Sequence, residues 1–308
     1  MNPAISPSNL TSPSPKSAHS SLAGAGNGRL MRRKAANILM WIGAIIATII
    51  ALIPLGLVLF FVTSKGLKVM NPAFFTQVQP APGDLGGGMK HAILGSLMMI
   101  GIASCIGLPF GVFGGIYLAE FGNNRFGWCV RFAADVLNGV PSIVIGIFVY
   151  AIAILPLKQP HFSAWAGGFA LGLMMIPTIM RTTEEIVRLV PVSLRDASLA
   201  LGATRWRTMF KIVLSSARGG VITGILLAVA RVAGETAPLL FTALGNNYVN
   251  SNPNEPTASL PVTIYTFATA ADDHWNALAW GGALVLVLIV MVLSIAARYF
   301  TRSIQGAK

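Results

Sequence analysis

The chain has 308 residues, of which 54% are hydrophobic and only 10% are charged, and its mean hydropathy is +0.69. These values exclude a soluble globular domain and place most of the chain in a membrane. The two cysteines exclude a disulfide framework and a cysteine metal site. The net charge of +12 comes from basic residues spread over several segments, which excludes a nucleic-acid-binding face.

The first 28 residues are rich in Ser, Pro, Gly, Ala and Asn and have no apolar period, so we expect a disordered cytoplasmic tail. Residues 29–308 form the predicted transmembrane domain. The basic run from Arg29 to Lys34 and the apolar segment after it are similar to a secretory signal. That apolar segment is far longer than the apolar part of a signal, and we interpret it as an uncleaved anchor.

Six apolar stretches are long enough to cross a bilayer as helices, which takes about 20 residues. They are 39–63, 92–119, 132–155, 164–180, 219–244 and 277–300. The predicted fold is therefore an all-α polytopic membrane protein with six transmembrane helices. An even number of spans puts both termini on one side, and that side then holds 17 Lys and Arg residues against 4 on the other. Because basic loops stay in the cytoplasm, both termini are predicted to be cytoplasmic.

The second span carries glycine at every fourth position, at Gly107, Gly111 and Gly115. Residues four apart share a helix face, and a stripe of small residues lets a second helix approach closely. We therefore predict that these glycines pack against another helix of the bundle.

The cytoplasmic segment 190–214 is basic and amphipathic, and its pattern predicts two helices joined by a turn. Ser193 and Asp196 have the spacing of a capping box, which predicts a helix that begins near Leu194. Gly202 occurs where that helix would end in a left-handed residue. The segment is therefore interpreted as a helical hairpin.

Each helix of this hairpin has an apolar stripe. The stripes are Leu194, Ala197 and Leu201 in the first helix and Trp206, Met209, Phe210 and Val213 in the second. An arginine-rich hairpin with two such stripes is typical of a surface that docks to another protein. A helix lying on the bilayer surface shares the basic and aromatic composition, but it does not need a glycine at this position.

Arg231 and Glu235 are the charged residues in the interior of a predicted span. A charge there costs about 2.5–3.5 kcal/mol, so both side chains should face the bundle interior or a cavity. They are four residues apart and can meet on one helix face. One interpretation is an ion pair that only hides both charges. In the other, the guanidinium of Arg231 binds an oxyanion that crosses the membrane, and Glu235 holds the arginine in position.

The sequence contains no G-x-x-x-x-G-K-[ST] phosphate loop, so any ATP would be bound by another chain. It also has no intramembrane cluster of His, Asp or Glu of the kind that catalysis or metal binding requires. An enzyme and a metal site are therefore not expected. The histidines are interpreted as surface residues without a ligand role; they are His19, His91, His161 and His274.

The hairpin resembles the EAA loop of ABC-importer permeases. Asp196-Ala197-Ser198 occupies the E-A-A positions, and Gly202 follows at the spacing of the loop's glycine. Asp196 stands in place of glutamate, and Ser215 in place of the proline that ends the pattern.

A second resemblance is carried by residues 223–243, which contain Arg-Val-Ala-Gly-Glu-Thr-Ala-Pro-Leu from Arg231 to Leu239. This stretch is similar to the PstA family, one of the two permease chains of the bacterial phosphate-specific ABC importer. Other segments agree with the same family and bring the resemblance to about residues 38–302; they are 71–75, 86–88, 114–122, 139–144 and 260–265.

The resemblance implies a type I ABC-importer permease with a MetI-like fold in the bacterial inner membrane, importing inorganic phosphate by alternating access. It implies three kinds of protein partner besides membrane lipid: a second permease of the PstC type, a dimeric ATPase of the PstB type, and a periplasmic phosphate-binding protein of the PstS type. Nucleic acid is not an expected partner. ATP and Mg²⁺ would be bound by the ATPase, and this chain would carry no cofactor.

The resemblance also assigns roles to residues. Those expected to couple to the ATPase are Asp196, Ala197, Leu201 and Gly202. Arg231 and Glu235 become candidates for the substrate path, and residues 245–276 for contact with the binding protein. Two alternatives stay open: transport of another oxyanion, such as sulfate or molybdate, and an ATP-independent anion channel or carrier.

Overall fold

The computed structural model describes residues 22–156 and 162–305, and all regular secondary structure in these ranges is helical. The α-helices are α1 (Leu22–Gly66), α2 (Pro72–Thr76), α3 (Lys90–Glu120), α4 (Arg125–Gly139), α5 (Ser142–Val149), α6 (Ala164–Arg188), α7 (Val192–Ala200), α8 (Arg205–Thr208), α9 (Leu214–Ala233), α10 (Ala237–Thr242), α11 (Leu260–Ala268) and α12 (Asp273–Gln305). A 3₁₀ turn, Leu67–Val69, follows α1. Two π-helical turns, Tyr150–Ile154 and Met209–Val213, extend α5 and join α8 to α9.

The chain divides into two compact units, one ending at Phe60 and the other beginning at Phe61. In the first unit, α1 begins at Leu22, and residues 1–21 of the predicted tail lie outside the described residues. All side chains of this helix from Met31 to Phe60 are exposed, and most are apolar. A helix that is apolar on every side belongs in lipid or against other membrane helices.

Five helical segments of the described chain are long and apolar enough to cross a membrane. They are Met31–Val69, Lys90–Glu120, Ala164–Arg188, Arg205–Ala233 and Asp273–Tyr299. A sixth is obtained if the bent pair Arg125–Gly139 and Ser142–Ile154 counts as one span. The predicted all-α membrane fold is confirmed, while the cytoplasmic side of the termini stays a prediction.

Two predicted spans are wrong as continuous helices. The stretch 132–155 bends by 104° between α4 and α5, because Pro141 has no N–H to donate and keeps Val140 extended. The stretch 219–244 ends as a helix at Ala233, with Gly234 at its C-cap, before the short α10 begins. The fourth span is longer than the predicted 164–180, because α6 continues through Arg188 despite Pro177 in its interior.

The packing of α3 against α6 is close because α3 presents glycine there. A Cβ atom built on Gly107 would lie 2.8 Å from the Cβ of Met175, and one on Gly111 would lie 2.7 Å from the Cβ of Ile179. One turn further, a Cβ on Gly115 would lie 2.5 Å from the carbonyl oxygen of Met180. The backbone of α3 therefore rests directly on α6, the arrangement that small-residue stripes allow.

Replacing Gly111 with alanine should destabilise the bundle, since the added methyl group overlaps Ile179 on α6. Overpacking of this kind costs about 1–3 kcal/mol, so the apparent melting temperature of the purified chain in detergent should fall. Gly101→Ala is the matched control, because nothing lies within 4 Å of a Cβ at that position of the same helix. Equal melting temperatures for the two variants would contradict the close contact.

Candidate functional site

The predicted hairpin is present as α7 and α8, with a turn at Gly202. That residue has φ +78°, in the left-handed region, so the predicted helix, turn and helix are confirmed. The predicted capping box is wrong. Helix α7 begins at Val192, directly after Pro191, and no side chain caps it. Because proline fixes φ and has no N–H to satisfy, it starts the helix before Ser193 can act as a cap.

The hairpin is fastened to the ends of the long helices by polar contacts. The hydroxyl groups of Ser198 and Thr208 lie 2.8 Å apart in a buried position and hold α7 against α8. Arg195 forms an ion pair with Glu120 at the end of α3, at 2.9 Å. Arg195 also donates to the carbonyl oxygen of Val187 on α6, at 2.9 Å. A displacement of α7 would therefore be passed to α3 and α6.

The first apolar stripe of the hairpin is on its outer surface. Leu194 and Ala197 are exposed, and Leu201 is 88% exposed. Since exposed apolar side chains that form a contiguous patch mark interaction surfaces, this face of α7 is suited to a partner. An adjoining cleft of about 200 Å³ includes Asp196 and Trp206 in its lining.

The second stripe is split between the interior and the surface. Met209 and Val213 are buried, whereas Trp206 and Phe210 are exposed and stack on each other with ring centroids 6.0 Å apart. The π-helical turn that begins at Met209 changes the residue period, so side chains predicted to share one face diverge.

A buried ionic cluster, which the sequence reasoning missed, lies beside the hairpin. Its centre is Glu184 on α6, whose side chain is 3% exposed. The carboxylate is 2.7 Å from Nε of Arg131, 2.8 Å from a guanidinium nitrogen of Arg188 and 3.2 Å from one of Arg181. A buried carboxylate is tolerated only with such partners, because desolvation of an unpaired charge is costly.

The arginines of this cluster also bind the end of α3. Arg131 on α4 donates to the carbonyl oxygens of Leu118 and Gly122, at 2.8 and 2.9 Å. Carbonyl groups in the last turn of a helix have no intrahelical partner and attract cations. Arg181 extends the cluster to Asp135 on α4, at 3.0 Å. The cluster thus joins three helices at the level where the hairpin attaches.

Glu184 is a further charge within a membrane helix, besides Arg231. The predicted fourth span ends at residue 180, so Glu184 lies outside it, whereas α6 continues through Arg188. Arg181, Glu184 and Arg188 are spaced i, i+3 and i+7, a helical spacing at which opposite charges meet. That spacing was the available signal that the helix continues.

Removing the carboxylate of Glu184 as Glu184→Gln should leave three arginines without their common partner. Breaking a buried ion pair costs about 3–5 kcal/mol, so we expect a large fall in the melting temperature of the purified chain. Glu185→Gln is the control, since Glu185 is the next residue on the same helix and is exposed. If Glu184→Gln melted like Glu185→Gln, the cluster would not stabilise the bundle.

Arg231 and Glu235 are not paired. Arg231 lies in the last turn of α9 and is exposed, and its guanidinium makes a long contact of 3.5 Å with the hydroxyl of Thr178 on α6. Glu235 follows the helix end, and its side chain has no hydrogen bond or ion pair with the described residues. The expectation that the two meet on one helix face, with Glu235 positioning Arg231, is wrong because α9 ends before Gly234.

Polar side chains connect Arg231 to the ionic cluster. The hydroxyl of Thr178 lies 3.1 Å from the amide oxygen of Asn138 on α4. Arg181 follows Thr178 by three residues on α6, and Asp135 precedes Asn138 by three on α4, so each pair shares a helix face. A polar surface therefore continues from Arg231 toward the end of the bundle that carries the hairpin.

The described histidines differ in environment. His274 is close to Gly86, with its Nε2 atom 2.7 Å from the carbonyl oxygen, whereas His91 is buried, so the surface interpretation is wrong for His91. His19 and His161 lie outside the described residues. Within the described ranges, no three His, Cys, Asp or Glu side chains are grouped closely enough to hold a metal ion.

Comparison with known proteins decides the family. Residues 111–306 match the family model of the binding-protein-dependent transport system inner membrane component. The chain belongs to this family. This inner membrane component is 46% identical over 275 residues to the phosphate transport system permease protein PstA of Haemophilus influenzae, which covers 89% of this chain and 96% of the relative. It is 48% identical over 244 residues to the Yersinia pestis protein of the same name, covering 78% of this chain and 81% of that one.

The solved structures agree on the fold of this inner membrane component. A chain of the inward-facing MetNI methionine ABC transporter superposes with a TM-score of 0.54 at 17% identity, covering 70% of this chain and 96% of that chain. At this identity the likeness bears on the fold alone, and it confirms the type I ABC-importer permease fold. The relatives are permease subunits, so the chain is a multi-pass membrane subunit of a transporter and not an enzyme.

Proposed function

We propose that this chain is the permease that forms the path for inorganic phosphate in an ATP-driven importer. The observation that carries the proposal is the identity to phosphate transport permeases, which extends over 96% of the length of the Haemophilus influenzae relative. The partners proposed are a PstC-type permease beside it, a PstB-type ATPase dimer that binds ATP and Mg²⁺, and a PstS-type binding protein that delivers phosphate.

The test is uptake of labelled phosphate by bacterial cells that lack this chain and then regain it. We expect restored accumulation, which resists excess sulfate and stops when the ATP supply is blocked. Competition by sulfate would indicate that the substrate is another oxyanion. Accumulation without ATP would favour a channel or carrier.

The hairpin is proposed to couple the ATPase to the membrane helices through Asp196, Ala197, Leu201 and Gly202. Two features support this role. The apolar stripe of α7 is exposed, so it is free to dock. The contacts of Arg195 with Glu120 and Val187 connect α7 to α3 and α6, so a displacement of the hairpin would be transmitted to these long helices.

Leu201→Glu should abolish ATP-driven uptake while leaving the abundance of the chain normal. Leu201 is 88% exposed, so a charge there would not disturb packing but would oppose an apolar docking surface. Leu189→Glu is the matched control, since Leu189 is 76% exposed but lies at the end of α6, outside the proposed surface. Normal uptake by Leu201→Glu would exclude the coupling role of this residue.

Arg231 is proposed to bind the anion as it crosses. It is a guanidinium with a single long side-chain contact among the described residues, so its donors are available. A planar guanidinium matches the oxygens of phosphate in pairs. Glu235, exposed to a smaller extent and unpaired, stays a candidate for the same path, where its negative charge would promote release of the anion.

Arg231→Gln should reduce phosphate uptake to background because the amide cannot provide the positive charge. Assembly should be normal, since Arg231 is exposed and forms no ion pair in the described part of the chain. Arg218→Gln, at the other end of α9, removes the same charge from another exposed position and should leave uptake unchanged. Equal uptake by the two variants would rule out an anion contact at Arg231.

A further inference from the structure

A polar cavity lies at the end of α3 that is opposite to the hairpin. Helix α3 has 31 residues and is therefore about 46 Å long. Glu120, its last residue, contacts the hairpin, and His91, its second residue, lines the cavity. The cavity has a volume of about 230 Å³ and is enclosed by the starts of α3 and α12, by α11 and by residues 244–247. Among its lining residues, Asn247 and Thr266 are exposed, so it opens to the surface.

Two side chains that line this cavity have buried polar atoms without a partner. His91 is 2% exposed, and neither ring nitrogen has a hydrogen bond. The indole Nε1 of Trp275 is likewise buried without a partner. Buried polar groups in folded proteins are nearly always satisfied by protein, water or a ligand. Three unsatisfied nitrogens on two side chains that line the same cavity therefore point to a polar occupant.

The position of Trp275 is fixed from two sides. Its ring stacks on Phe267, with centroids 4.7 Å apart. Its backbone N–H donates to the carboxylate of Asp272 at 3.0 Å, and the N–H of Gly83 donates to the same carboxylate at 2.9 Å. The hydrogen bonds from the backbone of Trp275 and Gly83 lower the pKa of Asp272, so this support persists at neutral pH. The indole donor is thus held in place before any ligand arrives.

The wall formed by residues 244–247 is held in an unusual backbone conformation. Leu244 has φ +61° and is the one non-glycine residue of the described chain with positive φ; Gly245 follows with φ +112°. Such conformations persist only where the surroundings impose them, and they cluster at ligand sites. The side-chain amide of Asn246 donates to the carbonyl oxygen of Pro256 at 3.2 Å and closes this loop.

The lining identifies the class of ligand. None of the residues that line the cavity is acidic or basic apart from His91, so a cation would find no carboxylate there. The indole of Trp275 and the hydroxyl of Thr263 donate hydrogen bonds, as an oxyanion requires. A neutral imidazole has one donor and one acceptor nitrogen. The acceptor would be satisfied by an anion that carries a hydroxyl group of its own.

We propose that this cavity is a second anion site, which binds a protonated tetrahedral oxyanion and recognises its hydroxyl group through the acceptor nitrogen of His91. Hydrogen phosphate has both the oxygens and the hydroxyl that the site requires, whereas sulfate and a lipid phosphodiester have no hydroxyl. That the ligand is the transported anion rests on the function proposed above. Uncharged donors release an anion more readily than a guanidinium does, which suits a site that passes its ligand on.

The test is ¹⁹F NMR of the full-length chain in nanodiscs, labelled with 5-fluorotryptophan. The chain has six tryptophans, and the resonance missing from Trp275→Phe identifies the one in the cavity. Inorganic phosphate should shift this resonance with saturation. Sulfate and dimethyl phosphate, which represents a lipid phosphodiester, should not.

Variants then test the donors and the acceptor. His91→Leu and Thr263→Val should each raise the phosphate Kd at least about tenfold, the loss of one good hydrogen bond. Thr269→Val removes a hydroxyl from the exposed C-cap of the same helix and should leave phosphate binding normal. His91→Gln keeps a donor and an acceptor and should restore most of the affinity.

Three results would overturn the proposal. They are the absence of a saturable shift with phosphate, an equal shift with sulfate or dimethyl phosphate, and binding that survives both His91→Leu and Thr263→Val. Because the titration uses no ATP and no partner chain, its failure is separate from failure of the uptake assay. Sulfate-resistant uptake without phosphate binding here would refute the second site alone.

Discussion

The buried carboxylate of Glu184 is the constraint on which the arrangement of the helices depends. A negative charge inside a helical bundle must be compensated, and here the compensation comes from α4 as well as from α6 itself. The same arginine of α4, Arg131, closes the end of α3. Most other contacts among these three helices are apolar and therefore not directional, so the cluster contributes strongly to fixing their relative position. The polar surface that leads from Arg231 reaches this cluster through Asn138 and Asp135, close to the attachment of the hairpin at Glu120.

The two ends of α3 have different surroundings. One end is held against its neighbours by glycine contacts with α6 and by the arginines around Glu184. At the other, the side chains of His91 and Trp275, whose nitrogens have no hydrogen-bond partner, line a cavity. If the hairpin couples to the ATPase and the cavity binds an anion, as proposed, alternating access requires the two to be connected by elements that move as one body. The close packing of α3 on α6 is well suited to that, because bare backbone against side chains leaves little room for sliding.

Much of the fold could be predicted because its signals are local. Apolar length locates membrane helices, and the glycine stripe of α3 and the left-handed Gly202 can each be recognised within a few residues. The errors came from local signals that compete. Helix α7 begins after Pro191 and not at the capping-box residue Ser193. The apolar runs through Pro141 and Gly234 are not continuous helices, because the backbone at Pro141 and Gly234 interrupts the helical conformation. A charge inside an apolar span made Arg231 a candidate for the substrate path, which stays a prediction. The spacing of Arg231 and Glu235 suggested a pairing that the end of the helix prevents.

The sequence by itself determined that the chain is a helical membrane protein, where most of its spans lie and to which family it belongs, since length, hydropathy and motif are properties of consecutive residues. Only the tertiary structure decided which charges are paired and which polar atoms are left over. Arg131 and Glu184 are 53 positions apart, and Gly83 and Asp272 are 189 apart. The burial of His91 likewise depends on helices that are remote in the chain. Local spacing could indicate the pairs of Glu184 with Arg181 and Arg188 on its own helix, but no spacing along the sequence encodes the distant contacts that decide the rest.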